Sequence, residues 1–147
     1  MNSRNSIPNL SYYRLSLMDF LRESHPERLS DERFIAARAE AAAETYSQAV
    51  LNGCNDIEAD EQAHRVLFDS LYFSKHDTLV NILWNEFAAE IPEDAAKIWA
   101  IRLLPECESV FAQYPLSDGF AYEPEYDLLY TELTGAIAIY LENHGIQ

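Results

Sequence analysis

The sequence is poor in cysteine, glycine and basic residues. Its 147 residues include two cysteines, four glycines and ten Lys and Arg together. The two cysteines, Cys54 and Cys107, are too few for a disulfide framework and lack the close pairing of a zinc or redox motif. We therefore expect two free, buried thiols. A chain of this length buries a sizeable core without covalent or metal cross-links.

Long hydrophobic segments are absent as well. The longest stretch without a charged residue runs over 11 residues, from Thr45 to Asn55, whereas a membrane-spanning helix needs ~20 apolar residues. The first ten residues contain one Arg and no apolar run followed by a small-residue cleavage site, which is unlike a secretory signal. We expect a cytoplasmic protein that does not cross a membrane.

Positive charge is scarce, and its distribution divides the chain. Residues 1–40 carry six basic and six acidic residues, whereas residues 41–147 carry four basic and 19 acidic residues, with no Lys or Arg after Arg102. Because phosphate backbones and anionic membranes are bound through Lys and Arg, we expect neither direct nucleic-acid binding nor membrane binding. The acidic surface favours either solubility alone or contact with a basic partner protein.

Helical periodicity runs through most of the chain. Six segments have apolar residues at helical spacing, and no segment shows the alternation of β-branched residues that is typical of a strand. Connections are short and no repeat of fixed period is present. We predict an all-α fold, an irregular bundle of about six helices in a single domain over residues 1–147, with residues 1–9 flexible.

Residues typical of helix starts and stops bound these segments. They are, in chain order, Leu10 and His25-Pro26 for the first, Ser30 and Gly53 for the second, Asn55 for the third, Ser74 and Pro92 for the fourth, Pro92 for the fifth, and Pro124 and Gly145 for the sixth. The alanine-rich second helix is predicted to be central. For the third helix we predict one face formed by Ile57, Glu61, His64, Phe68 and Leu71. Because a proline inside a helix removes a hydrogen bond, we expect the residues after Pro105 to form a separate or kinked piece.

Motifs for catalytic nucleophiles and phosphate-binding loops are absent. Neither cysteine has the basic neighbours that would make it reactive, and Cys107 lies between two glutamates. The segment Glu61-Gln-Ala-His64 has the spacing of a di-iron ligand pair, but the second copy that such a site needs is missing. We expect no catalytic residue, no cofactor and no metal site.

The dipeptide His76-Asp77 supports an enzymatic alternative. Adjacent His and Asp bind the metal in the helical His-Asp metal-dependent phosphohydrolases. The same residues are already explained as a helix start capped by Ser74, which is the favoured interpretation. No spacing selects the remaining ligands of such a site from the candidates His25, His64, Asp94 and Asp127.

The segment from Phe120 to Tyr130 combines aromatic and acidic side chains. Tyrosine is common at protein interfaces because its ring buries area while its hydroxyl keeps a polar partner. The candidate partner-binding residues are Phe120, Tyr122, Glu123, Glu125, Tyr126, Asp127 and Tyr130. The alternative interpretation is that Phe120 and Tyr126 anchor a loop and the start of the last helix on the core.

Five segments resemble a known family over nearly the whole chain. They are Ser11-Tyr-Tyr-Arg-Leu, Leu21-Arg-Glu-Ser-His-Pro-Glu, Phe73-Ser-Lys-His-Asp-Thr-Leu, Leu83-Trp-Asn-Glu-Phe and Tyr126-Asp-Leu-Leu-Tyr-Thr-Glu-Leu-Thr-Gly. The family is a small helical one of unknown function from bacteria of the Bacteroides group, often encoded on conjugative transposons. The resemblance implies a compact multihelical fold and an accessory role on a mobile element, with no assigned activity or cofactor.

Together these observations favour a non-enzymatic protein that binds an unidentified protein partner through its acidic, Tyr-rich C-terminal third. Two alternatives stay open: a His-Asp type phosphohydrolase, and an acidic mimic of nucleic acid that occupies the basic site of a DNA-processing protein. The oligomeric state is not predicted by the sequence, because a bundle and a helix-mediated dimer use similar apolar stripes.

Overall fold

The computed structural model describes the backbone of residues 2–145 and the side chains of residues 9–145. This part of the chain contains six α-helices and no strand, which confirms the all-α prediction. The helices are α1 (Asn2–Ser24), α2 (Glu32–Leu51), α3 (Asp56–Leu67), α4 (Lys75–Glu86), α5 (Ala96–Phe111) and α6 (Glu125–His144). Single 3-10 turns cover Pro26–Arg28, Glu93–Ala95 and Phe120–Tyr122. None of the helices between residues 2 and 145 has both the length and the apolar character needed to cross a membrane.

The chain divides into two compact units, residues 1–69 and residues 70–147. In the first unit α2 packs against both α1 and α3, which confirms the prediction that the alanine-rich helix is central. Its buried side chains are mostly small, since Ala39, Ala42, Ala43 and Ala49 are among them. Small side chains let neighbouring helices approach closely. The prediction of a single domain is not decided by this division and stays a prediction.

In the second unit α4, α5 and α6 each pack against the other two. Their buried side chains form one apolar core that includes Leu83 of α4, Leu103 and Phe111 of α5, and Leu133 of α6. Phe120, from the loop before α6, is fully buried in the same core. The core of this unit therefore extends to the residues predicted to bind a partner.

Several helix starts follow the predicted capping residues. The Asn55 side chain accepts a hydrogen bond from the Glu58 backbone nitrogen at 2.8 Å, and the Glu58 carboxylate accepts one from the Asn55 backbone nitrogen at 3.1 Å. This reciprocal pair is a capping box. The predicted cap Ser30 is wrong: the backbone becomes helical at Glu32, so the Asp31 side chain caps α2 instead, accepting from the Phe34 nitrogen at 3.2 Å.

The first helix has its predicted end but an earlier start than Leu10. It runs from Asn2 to Ser24, directly before His25-Pro26. Residues 1–9 are predicted to be flexible. Of these, Met1 lies outside the described residues, and the side chains of residues 2–8 are not described. Their flexibility stays a prediction.

The predicted face of α3 is only partly correct: Leu71 is buried and Phe68 half-buried, but both follow the end of the helix. Ile57 is 72% exposed, and the residues that α3 buries are Ala59, Ala63 and Leu67. The prediction assigned the larger apolar residues to the core, but two alanines at i and i+4 fit against the alanine-rich α2. Steric fit between two helices with small side chains therefore decides which face of α3 is buried.

Pro105 does not end the fifth helix. Residues Ala96–Phe111 form one helix with Pro105 inside it, so of the two predicted outcomes the separate piece is wrong, and a kink at Pro105 stays a prediction. Because Pro105 has no N–H, the carbonyl of Ile101, four residues earlier, has no helical partner. Both residues lie on the exposed side of α5. Water can reach that carbonyl, which reduces the cost of the missing hydrogen bond. The fourth helix ends at Glu86, earlier than the predicted Pro92, and Phe87 and Ile91 pack into the core from the turn that follows.

Candidate functional site

The candidate partner-binding residues divide into a buried base and an exposed surface. Phe120 is fully buried, whereas Tyr126 and Tyr130 are half-buried. The exposed members are Tyr122, Glu123, Glu125 and Asp127. The anchoring interpretation is therefore confirmed for Phe120, and only the exposed members are accessible to a partner.

The buried base is an aromatic cluster around Phe120. The Phe120 ring lies edge-on to the rings of Phe73, Tyr114 and Tyr126, with centroid distances of 5.4, 6.0 and 6.4 Å. Such edge-to-face pairs are favoured by the quadrupoles of aromatic rings. Tyr114 also donates a hydrogen bond to Glu132, which raises the pKa of Tyr114 to about 12. The cluster fixes the loop before α6 onto the core.

Tyr130 connects the start of α6 to the end of α4. Its hydroxyl donates to the Glu86 carboxylate at 3.0 Å and accepts from the Asn85 amide at 3.3 Å. Burial is the main cause that raises the pKa of Tyr130, and the Glu86 carboxylate acts in the same direction. Tyr130 therefore has a structural role, and it belongs with the base of the site.

The exposed residues surround the N-terminus of α6. Tyr122 is 92% exposed, and Leu128, which is not among the residues predicted to bind a partner, is 61% exposed. Glu125 and Asp127 lie in the first turn of α6, where negative charge is favoured by the helix dipole. We call Tyr122, Glu123, Glu125, Asp127 and Leu128 the acidic tyrosine surface. Between residues 122 and 128 it therefore exposes two side chains with apolar surface, Tyr122 and Leu128, and three acidic ones.

Leu128 could have been found from its register. Leu129, Leu133, Ile137 and Leu141 are the buried residues of α6, and a side chain one position away from that row points about 100° around the helix. Leu128 therefore points away from the buried row. A leucine at such a position is a signal for an exposed apolar contact.

The His76-Asp77 pair starts α4. The Ser74 hydroxyl accepts from the Asp77 backbone nitrogen at 2.9 Å, so the predicted helix cap is confirmed. His76 is buried, its Nε2 lies 3.2 Å from the Lys97 carbonyl oxygen, and its Nδ1 lies 3.5 Å from the Asp77 carboxylate. These contacts describe a histidine packed between α4 and α5. The phosphohydrolase hypothesis gains no specific observation from them.

Two of the other candidate metal ligands, His25 and His64, lie in the first unit, and each has its own contacts there. His25 is buried beside Phe20, whose ring centroid is 5.9 Å away. The His64 ring meets the ring of Tyr13. Among residues 9–145, no three His, Cys, Asp or Glu side chains come together as a group that could hold a metal ion.

A hydrogen-bonded Tyr-Asp-His network in the first unit was not anticipated. The buried Tyr13 hydroxyl donates to the Asp60 carboxylate at 2.8 Å. The His64 Nδ1 lies 3.2 Å from the same carboxylate and 2.9 Å from the Asp60 carbonyl oxygen. The rings of Tyr13 and His64 also meet edge-on at 5.6 Å. Tyr13 and Asp60 are 47 positions apart in sequence, so local spacing gives no signal for this network.

The network predicts a pH dependence of stability. Burial, together with the hydrogen bond to Asp60, raises the pKa of Tyr13 in the folded protein. The unfolded chain loses this proton near pH 10, and the folded protein keeps it, so the free energy of unfolding decreases as the pH rises above about 10. For Tyr13→Phe we expect this decrease to be shallower by up to about 1.4 kcal/mol per pH unit. Urea unfolding at pH 9, 10 and 11 measures it.

The control for this experiment is Tyr12→Phe, because Tyr12 is the exposed neighbour of Tyr13. We expect Tyr12→Phe to keep the pH dependence of the unmodified protein. Equal slopes in all three proteins would show that Tyr13 ionises alike in the folded and unfolded states and would contradict the prediction.

The two cysteines have different environments. Cys107 is a buried free thiol, as predicted, and burial, with a smaller effect of Glu106, raises its pKa to about 11. Cys54 is also free but only half-buried, and the Gln62 amide lies 3.5 Å from its sulfur. A thiol with a raised pKa carries little thiolate at neutral pH, so Cys107 is a poor nucleophile.

Comparison with known proteins assigns the chain to a family. Residues 5–146 match the family described as "Domain of unknown function (DUF1896)". The chain belongs to this family. The DUF1896 chain is similar to protein PG0816 from Porphyromonas gingivalis, with 40% sequence identity, a TM-score of 0.93 against its crystal structure, and 98% of each chain covered. No curated protein matches the chain. The resemblance to a family of unknown function is thereby confirmed, and the DUF1896 fold is shared with an experimental structure.

Proposed function

We propose that this DUF1896 protein is a non-catalytic, cytoplasmic accessory protein that binds a basic partner protein through the acidic tyrosine surface. The observation that carries the proposal is the exposure of Tyr122 and Leu128 in a segment that also exposes Glu123, Glu125 and Asp127, at the start of α6. Exposed apolar side chains within a polar rim are typical of protein interaction sites.

The charge of this region supports a basic partner. The protein carries a net charge of −15, and no Lys or Arg occurs after Arg102. Carboxylates around an apolar centre attract Lys and Arg on a partner, raise the association rate and disfavour acidic proteins. Tyr122 and Leu128 would then supply the desolvated contact at the centre.

The rigidity of the base also supports binding. Tyr122 follows Phe120 in the same 3-10 turn, and Phe120 is fixed by three aromatic rings. Leu128 precedes the buried Leu129 on α6. A surface that is already ordered loses little conformational entropy on binding.

The proposal includes an accessory role on a mobile element, where the basic partner would be encoded on the same element. Members of a family often encoded on conjugative transposons would meet DNA-processing proteins of the same element, and those proteins have basic surfaces that bind nucleic acid. If the partner is such a protein and its basic site is covered, the acidic tyrosine surface acts as a mimic of nucleic acid.

Site-specific crosslinking tests the proposal. A photoreactive phenylalanine analogue replaces Tyr122 in the full chain, which is expressed in the bacterium that encodes it. The same analogue at Ile57, an exposed apolar position in the other unit, is the matched control. We expect one protein with a basic surface to be crosslinked from position 122 and not from position 57.

Charge reversal at the surface provides the second arm. With the crosslinker at position 122, Glu123→Lys/Glu125→Lys/Asp127→Lys is expected to reduce the crosslinked product at least about tenfold, since several close charge pairs are lost. The matched triple variant Glu40→Lys/Glu44→Lys/Glu61→Lys changes exposed acids of the first unit and is expected to retain it. Crosslinking that is equal at both positions, or unaffected by the surface triple variant, would refute the proposal.

A further inference from the structure

A concave region lies beside Trp84, at the turn that joins α4 to the 3-10 turn Glu93–Ala95. Trp84 is 41% exposed, and its indole nitrogen donates a hydrogen bond to the Glu93 carbonyl oxygen at 3.1 Å. This bond fixes the indole across the turn. Because the indole N–H is used within the protein, the exposed part of Trp84 offers a ligand its aromatic face.

Two surface depressions share the Trp84 indole. The smaller, about 400 Å³, is lined by Trp84, Ala88, Ile91 and Glu93. The larger, about 570 Å³, is lined by Trp84, Glu93, Asp94 and Lys97. The smaller depression, which we call the Trp84 pocket, is lined by one aromatic, two aliphatic and one acidic residue, and none of the four is basic. The larger one has a basic residue, Lys97, in its lining.

We propose that the Trp84 pocket binds an arginine side chain of a basic peptide or protein. Arginine has an aliphatic stem that packs on apolar surface and a planar cation that stacks on aromatic rings and pairs with carboxylates. Ala88, which is exposed, matches the stem, Trp84 matches the planar cation, and Glu93 is the acidic residue of the lining. The ammonium group of lysine is compact and does not stack in this way, so arginine is the better fit.

The charge of the molecule favours such a ligand. A net charge of −15 attracts cations to the surface generally. Glu86 and Glu90 add exposed acids on either side of Phe87, where α4 ends. The proposal rests on the pocket itself and does not depend on the acidic tyrosine surface, since the two sites have no residue in common.

Nuclear magnetic resonance on the full chain tests the proposal. The protein contains two tryptophans, so a ¹⁵N-labelled sample gives two indole N–H signals, and Trp84→Phe identifies the one from Trp84. If that variant is unfolded, Trp99→Phe makes the same assignment. The probe is a capped glycine-arginine-glycine peptide. Its matched control contains citrulline, which has the shape of arginine without the charge.

We expect a saturable shift of the Trp84 indole signal with the arginine peptide. Binding of the citrulline peptide is expected to be about tenfold weaker, because the cation–π contact and the ion pair are both lost. A third peptide, with lysine in place of arginine, is expected to bind more weakly than the arginine peptide. Titrations in about 0.15 M salt limit the contribution of distant charges.

Two neighbouring substitutions separate the pocket from general electrostatics. Glu93→Gln removes the carboxylate that lines the Trp84 pocket, and we expect about threefold weaker binding. Asp94→Asn removes the same charge from the adjacent residue, which lines only the larger depression, and we expect the affinity to change by less than about 1.5-fold. The Trp84–Glu93 hydrogen bond uses the backbone of Glu93 and is retained in both variants.

Three results would overturn the proposal: no shift of the Trp84 signal, equal shifts with arginine and citrulline peptides, or equal effects of the two substitutions. The variant Glu123→Lys/Glu125→Lys/Asp127→Lys is expected to bind the arginine peptide within about twofold of the unmodified protein. Failure of the Trp84 pocket therefore leaves the crosslinking result from position 122 unaffected, and failure of the crosslinking leaves this titration unaffected.

Discussion

Replacing Phe120 with alanine is expected to lower the free energy of unfolding by about 3–5 kcal/mol. Phe120 is among the largest fully buried side chains of the protein. Its removal loses the burial of an aromatic ring and leaves a space among Phe73, Tyr114 and Tyr126, whose rings surround it. Those side chains are held by their own contacts and can fill the space only partly, so a cavity adds to the cost.

Urea unfolding followed by circular dichroism measures this effect. Tyr122→Ala is the matched control, since Tyr122 is two residues away in the same 3-10 turn and almost fully exposed. It is expected to change the stability by less than about 0.5 kcal/mol. A loss below about 1 kcal/mol for Phe120→Ala, or equal losses in the two variants, would mean that the loop before α6 is not fixed to the core through Phe120.

The same pair of residues separates folding from binding. If the acidic tyrosine surface binds the partner, Tyr122→Ala weakens binding and leaves the fold intact. Phe120→Ala acts on binding only by loosening the loop. Comparing the two variants at a temperature where both are folded distinguishes a contact with the partner from support of that contact.

The helical content of this protein could be predicted from local signals. Asn55 and Ser74 cap their helices as predicted, and Gly145, with a φ of 76°, ends α6 in a left-handed conformation that glycine adopts without strain. These signals depend on residues within a few positions of one another, which a sequence shows directly. Pro105 misled the prediction because the consequence of an interior proline depends on whether water reaches the freed carbonyl.

Tertiary contacts were less accessible to sequence reasoning. The buried face of α3 is decided by how Ala59 and Ala63 fit against α2, and hydrophobicity alone favoured Ile57. In the candidate site, residue type selected the aromatic and acidic segment but did not separate buried Phe120 from exposed Tyr122.

A contact of this tertiary kind, between Arg38 and the end of α3, gives the second large expected effect. The Arg38 guanidinium nitrogen Nη1 donates to the carbonyl oxygens of Val66, Leu67 and Asp69 at 3.4, 3.2 and 2.6 Å. The last carbonyls of a helix have no partner within the helix. A positive charge at that end is also favoured by the helix dipole. Arg38 therefore caps α3 from α2.

We expect Arg38→Met, which keeps the aliphatic stem, to lower the free energy of unfolding by about 1.5–3 kcal/mol, the usual range for hydrogen bonds to a charged group. Arg33→Met is the matched control, since Arg33 is an exposed arginine on the same helix, and its effect is expected to stay below about 0.5 kcal/mol. Arg38→Lys is expected to fall between these values, because its ammonium keeps the charge but lies on a shorter side chain and does not reach all three carbonyl oxygens. Urea unfolding of the four proteins at neutral pH decides the order. If Arg38→Met and Arg33→Met were equally stable, the end of α3 would be satisfied by water, and the capping role of Arg38 would be refuted.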